Sequence, residues 1–143
     1  MIKSFKGKLA DGGQDRIRLS TIRGKVGYQI IKFELLPAAP GTTDYESVVK
    51  IYKNEQTSIT GSIDFTEPNL LAAAYIEGTG QPAYADQATI IFDNELVNQD
   101  VYISHNDADS STAVNYYIEM EQRDLTDQGA EYTTLKDLRS TSR

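Results

Sequence analysis

The chain has no cysteine, no tryptophan, only four prolines and a single histidine in 143 residues. Without cysteine there can be no disulfide, no thiolate nucleophile and no zinc-cysteine centre. Any serine–histidine or imidazole-metal chemistry would have to run through His105 alone, which ends the run DVYISH and is expected at a strand edge. Its neighbour Ser104 points to the opposite face of such a strand, so Ser104, His105 and Asp107 do not assemble a triad by adjacency. Long apolar runs are also missing: 70–76 and 30–39 (the latter broken by Lys32 and Glu34) are too short to span a bilayer. The first fifteen residues are basic but hold no apolar stretch of the kind a secretory leader needs. A soluble protein made in a cytoplasm, with no membrane partner, is the expectation.

What the chain does have is segregated charge. Residues 1–25 carry Lys3, Lys6, Lys8, Arg16, Arg18, Arg23 and Lys25 against Asp11 and Asp15, a net of +5. The remaining residues carry seven bases against nineteen acids, a net of −12, which together make the overall −7. A basic head on an acidic body suits docking onto an acidic protein surface, another copy of the chain included. Nucleic acid fits less well: the acidic body repels a polyanion, and no aromatic cluster flanks the bases.

Period-two alternation recurs along the chain and predicts strands. In 16–22, Ile17 and Leu19 share one face, and Arg16, Arg18 and Ser20 the other. Residues 26–36 read as a long strand with Ile31, Phe33 and Leu35 inward, stopped by Pro37 and Pro40. In 47–53, Val49 and Ile51 point inward, Lys50 and Tyr52 outward; 62–66 reads as a further short strand. The Leu/Ala-rich stretch 67–75 favours a short helix or irregular crossover. Strands follow at 89–94, 100–104 and 113–121, the last with Val114, Tyr116, Ile118 and Met120 on one face. The polar run 105–112 is expected as a hairpin loop joining the final two strands. In the tail 126–143, Tyr132, Leu135 and Leu138 recur at helical spacing.

The expected architecture is therefore all-β: an antiparallel β-sandwich or jelly roll of seven or eight strands over 15–125, with a basic N-terminal arm over 1–14 and a C-terminal tail or helix over 126–143. Docking to a partner is assigned to Lys3, Lys6, Lys8, Arg16, Arg18, Arg23 and Lys25, with Tyr132, Leu135 and Leu138 of the tail.

No catalytic, metal or cofactor site is expected. Asp107, Asp109 and Ser111 alternate oxygen ligands as a Ca²⁺ or Mg²⁺ loop does, but hairpin loops collect Asp and Ser for their own turn geometry. Asp93 with Glu95, and Glu119 with Glu121, place two carboxylates on one face; glycosidase chemistry needs such a pair buried, and these fall on the outer face. Gly7 and Gly12-Gly13 match no phosphate-binding spacing. Tyr52, Tyr102 and Tyr117, all read as outward, leave a carbohydrate-binding face open as a second reading.

The segments ADGGQDRIRLSTIRGKVGYQIIKFELLP, ESVVKIYK, SIDFTEPNLLAAAYI, ATIIFDNELVNQDVYISH and NYYIEMEQRDL span most of 10–125. They resemble a group of small proteins encoded among the virion structural genes of marine tailed bacteriophages. The resemblance implies a non-enzymatic virion component of β-sandwich type, partnered by capsid or other virion proteins. Within that class the expectation is a homo-oligomeric capsid decoration or cement subunit. The alternatives are a carbohydrate-binding module on a fibre or spike, and a neck or head–tail piece. The tail from Thr126 is not part of the resemblance.

Overall fold

A computed structural model describes residues 1–19, 26–39, 44–78, 87–109 and 111–124. Eight strands, and no helix among the described residues, make up the fold: β1 (Ile2–Leu9), β2 (Gln14–Ile17), β3 (Val26–Pro37), β4 (Tyr45–Tyr52), β5 (Leu70–Gly78), β6 (Gln87–Phe92), β7 (Val101–Asp107) and β8 (Val114–Asp124). They form a three-stranded sheet, β1-β8-β3, and a five-stranded sheet, β2-β7-β4-β5-β6, with every pairing antiparallel. The two sheets pack into a β-sandwich over one core, with Leu9, Phe33, Leu35, Val114, Ile118 and Met120 from one side meeting Ile17, Val49, Ile51, Ile76, Val101 and Ile103 from the other. Each such side chain removed from water contributes roughly 1.5–3 kcal/mol.

The strand order is that of a jelly roll, in which a long hairpin is rolled so that outer strands nest around inner ones. Three nested pairs are present: β1 with β8, β2 with β7 and β4 with β5. The fourth, β3 with β6, is reduced to one bridge. Strand β6 stays bonded to β5, and among the described residues the chain beyond it bridges to β3 at Tyr28 and Val97, which exchange backbone bonds of 2.7 and 2.9 Å.

Alternation predicts the inward faces well. Val114, Tyr116, Ile118 and Met120 are all buried on β8. Ile17 and Leu19 are buried while Arg16 and Arg18 are exposed, although β2 itself is the shorter Gln14–Ile17. Residues 20–22 of that expected strand lie outside the described residues.

Several expectations need correction, each for a physical reason. Ile31 is exposed and Ile30 takes the core position, because a bulge between Ile30 and Lys32 slips the register by one. Residues 2–9, assigned to an arm, form β1 along β8, where Phe5 and Leu9 alternate inward. Residues 62–66 form no strand; they belong to a loop. The stretch 67–75 is not helical, for Leu70 onward is β5, flanked by β4 and β6 on both sides. Ladder bonds on two edges outweigh the Leu/Ala helix propensity there. The run 105–112 is not a hairpin: β7 continues through Asp107, and the chain then crosses to β8 in the other sheet.

Lys50 and Tyr52 do point away from the core but are buried all the same. Residues 53–69 fold back over the outer face of the five-stranded sheet, their ends pinned by Lys53 N donating to Asn69 O at 2.9 Å. Beneath this Ω-shaped loop lie Val48, Lys50, Tyr52, Leu70, Ala73 and Ser104, all buried. Lys50 Nζ donates to Ser62 O at 2.7 Å and Gln56 N to Gln14 Oε1 at 3.0 Å, which ties the loop to the sheet.

Candidate functional site

Strands β1 and β2 end their respective sheets on the same side of the sandwich, joined by a tight corner, so the basic head becomes one edge of the molecule. The corner is a turn closed by Gly13 N donating to Ala10 O at 2.8 Å, with Gly12 at φ +78°, a left-handed conformation that favours glycine. His105 holds this corner in place. Its backbone bonds Gly12 and Gly13, and its ring Nδ1 lies 3.2 Å from both Leu9 O and Ala10 O, so that nitrogen carries a proton. Nε2 is 3.1 Å from Ser47 Oγ. The expected strand-edge position is therefore wrong: β7 lies between β2 and β4, and His105 is wholly buried. Its geometry is that of a structural pin.

The lysines and arginines of the edge divide into two kinds. Lys6 and Lys8 lie opposite Tyr117 and Asn115 on the outer face of the three-stranded sheet and are exposed. Arg18 is exposed beside β2. Lys3 instead reaches across β8, donating to Tyr28 OH at 3.1 Å with its ammonium 5.4 Å from the ring centre. Arg16 is committed to Asp100: Nε and Nη2 reach the same carboxylate oxygen at 2.6 and 2.5 Å, and the other oxygen accepts from Leu19 N. The hydrogen bond to Asp100, then its charge, raises the Arg16 pKa above the ordinary guanidinium value. Arg16 thus closes the molecule on itself, leaving Lys6, Lys8 and Arg18 as the outward cations. Arg23, Lys25, Tyr132, Leu135 and Leu138 lie outside the described residues.

Gly7 sits on this edge for a steric reason that the sequence did not signal. A Cβ there would fall 2.7–2.9 Å from the Tyr116 ring and hydroxyl. Tyr116 of β8 passes beneath β1 to donate to Asp15 Oδ2 at 3.0 Å, linking the three-stranded sheet to the edge strand β2. Burial, then the Asp15 carboxylate, push the Tyr116 phenol up from its ordinary pKa.

Next to the lysines, an open cleft of about 640 Å³ is lined by Lys6, Lys8, Glu34, Leu36, Asn115 and Tyr117. The three tyrosines read as outward, which left a carbohydrate-binding face open, do not share it. Tyr52 and Tyr102 are paired across β4 and β7 in the five-stranded sheet, whereas Tyr117 is on the outer face of the other sheet.

The Asp/Ser stretch resolves into turn chemistry. Asp107 is buried and accepts from Glu46 N, Asp109 N, Thr112 N and the Thr112 hydroxyl. Burial opposes its charged form, yet these bonds, the Thr112 hydroxyl foremost, win and lower its pKa to about 2. Among the described residues no group of three or more His, Asp or Glu side chains is placed to hold a metal ion. The carboxylate pairs are divided as well: Glu95 meets Lys53 Nζ at 2.5 Å, Glu119 accepts from Tyr117 OH, and Glu121 faces Arg123 at 3.4 Å. Sequence reasoning missed the buried Lys50 and the loop above it; their one signal was the long, mostly polar run after Lys53, part of which (62–66) read instead as a strand.

Comparison with protein-family models finds none that matches this chain, and no curated protein matches it.

Proposed function

We propose that this chain is a non-enzymatic bacteriophage virion protein, a capsid decoration or cement subunit that stabilises the head by binding neighbouring capsid proteins. The observation that carries this reading is the basic edge: Lys6, Lys8 and Arg18 face outward along one side of a rigid sandwich whose remaining sequence is acidic. The resemblance to phage virion proteins and the jelly-roll strand order support it. A subunit that binds only assembled neighbours adds stability by mass action, about 2.7 kcal/mol at a hundred times its dissociation constant.

Mass spectrometry of purified particles tests the reading. A copy number matching the shell subunits supports a decoration role, a few copies move the protein to the neck or a fibre, and absence from particles overturns the proposal. The double variant Lys8→Glu, Arg18→Glu should lower particle occupancy while leaving the fold intact. Unchanged occupancy would remove the basic edge from the docking role.

A second reading is supported by the cleft around Tyr117. One half-buried aromatic, Tyr117, flanked by Asn115, Glu34 and two lysines suits a sugar ring, with stacking below and hydrogen bonds at the rim. Binding on a glycan array that Tyr117→Ala abolishes would favour a fibre or spike module instead.

A further inference from the structure

The exposed large apolar side chains gather at a few places. Met1 and Ile2 lie at the start of β1; Ile91 and Phe92 lie on β6, with Phe65 of the loop beside Ile91; Ile63 is elsewhere on the loop, and Ile31 and Leu36 are on β3. Ile2 is 57% exposed, Ile91 49% and Phe65 66%. Phe65, Leu70, Leu71 and Ile91 line a groove of about 260 Å³ with Asp93 at its rim.

Strands β1 and β6 also terminate their sheets, so among the described residues no strand occupies their outward edges. An unpaired edge is a template for another strand. The two edges differ in charge. β1 carries Lys3, Lys6 and Lys8 and no acid, while β6 carries no base and is bordered by Asp93 and by Glu77, which lies opposite Gln87 on β5. Two β1 edges brought together would oppose lysine to lysine, so self-pairing of like edges is disfavoured. A β1 edge meeting a β6 edge joins opposite charges and covers apolar side chains from both.

We propose that β1 of one copy pairs antiparallel with β6 of a second copy, so that the three-stranded sheet of one continues into the five-stranded sheet of the next. Outer-face residues must meet outer-face residues, and this selects the register. On β1 the outer positions are Ile2, Ser4, Lys6 and Lys8, opposite Glu121, Glu119, Tyr117 and Asn115. On β6 they are Thr89 and Ile91, opposite Tyr75 and Ala73. Placing Ile2 against Ile91 sets Ser4 against Thr89 and Lys6 against Gln87 at the end of β6, with Glu77 one strand further on within reach of the lysine. The contact is head-to-tail, so it propagates into a ring or a chain of copies. One strand pair is a small interface, and the association between isolated copies is correspondingly weak and concentration-dependent.

The chain has no cysteine, which permits a clean test. Ile2→Cys and Ile91→Cys are made as separate proteins and mixed under mild oxidant. Cross-strand Cα distances fall within disulfide range, so the mixture should cross-link at least about tenfold faster than either protein alone. Ile2→Cys mixed with Leu36→Cys should not. Sedimentation velocity over a concentration series should show reversible association that Lys6→Glu weakens about tenfold and that Lys6→Glu with Glu77→Lys restores. Circular dichroism on each variant reports that the fold is retained. The proposal is overturned if the chain stays monomeric up to millimolar concentration, if the mixture links no faster than its components, or if Lys6→Glu associates like the parent. Purified protein decides this contact and particles decide the virion reading, so either can fail alone.

Discussion

On the outer face of the five-stranded sheet, Val48, Lys50, Tyr52, Leu70 and Ala73 are buried beneath residues 53–69, whereas on the outer face of the three-stranded sheet Lys32, Glu34 and Leu36 stand in solvent. Both sheets share one core and both alternate along their strands. Their difference comes from a single long connection. Where β4 returns to β5 the chain makes an Ω-shaped detour and adds a partial third layer; the strands of the other sheet receive no such cover among the described residues. The bare sheet carries the outward lysines and the Tyr117 cleft, while the covered sheet carries buried polar groups that hold a loop down. Of the two outer faces, the bare one is open to a partner and the covered one is given over to stability, while the edges of both sheets stay accessible.

The most direct way to break this contrast is to remove the cover. Replacing residues 55–67 with a short glycine–serine link, across ends already held together at Lys53 and Asn69, should expose Val48, Tyr52 and Leu70. A loss of at least about 3 kcal/mol is expected in urea unfolding, since each of those side chains is worth roughly 1.5–3 kcal/mol when buried. A loss under about 1 kcal/mol would mean that the loop is ornament rather than a layer.

Acid titration should reveal the next largest effect, at the crossing from the five-stranded to the three-stranded sheet. The Asp107 pKa is lowered to about 2 in the folded chain, so the unfolded chain binds the proton first as pH falls. The stability this carboxylate contributes is complete above its unfolded value near 3.9 and is lost as pH drops towards about 2, amounting to roughly 2 kcal/mol. In Asp107→Asn, urea midpoints measured from pH 5 to pH 2 should lose that part of the slope.

Lys50 provides a smaller effect with a slope of the same sign, shifted to the alkaline range. Burial lowers its pKa. The unfolded chain therefore holds this proton more tightly, and stability should rise as pH climbs through the folded value towards the ordinary lysine value near 10.4. Lys50→Met, which keeps the stem and removes the charge, should be within about 1 kcal/mol of the parent or more stable, and should flatten the alkaline slope. A strongly destabilised Lys50→Met would show that the bond to Ser62 O matters more than the desolvation it accompanies. On the bare face, Tyr117→Ala should change stability least, by under about 1 kcal/mol in thermal unfolding, because its half-buried ring has no covering layer to lose.

The positions that alternation reads correctly are those where one face meets the core: Val49 and Ile51 on β4, and the four inward side chains of β8. Local pattern misleads where a neighbour decides. Leu70, Leu71 and three alanines read as helical, yet two adjacent strands claim their backbone bonds. Ile30 and Ile31 are adjacent and equally apolar, and only the bulge determines which one is buried. The candidate site was legible as charge but not as geometry. The sequence distinguishes Lys6 from Arg16 in no way, and the difference depends on Asp100, distant along the chain yet within 2.6 Å of the guanidinium.

The absence of cysteine, the two-residue period and the charge split between head and body determined, without any coordinates, that this is an all-β chain with one basic extremity. Only the tertiary structure decided that the extremity is a paired strand, that His105 pins a corner, and that one sheet face is covered and the other bare. The physical reason is range: periodicity records how a residue meets its own strand's two faces, whereas pairing partners, loop cover and ion pairs are set by groups that the fold brings together from far apart.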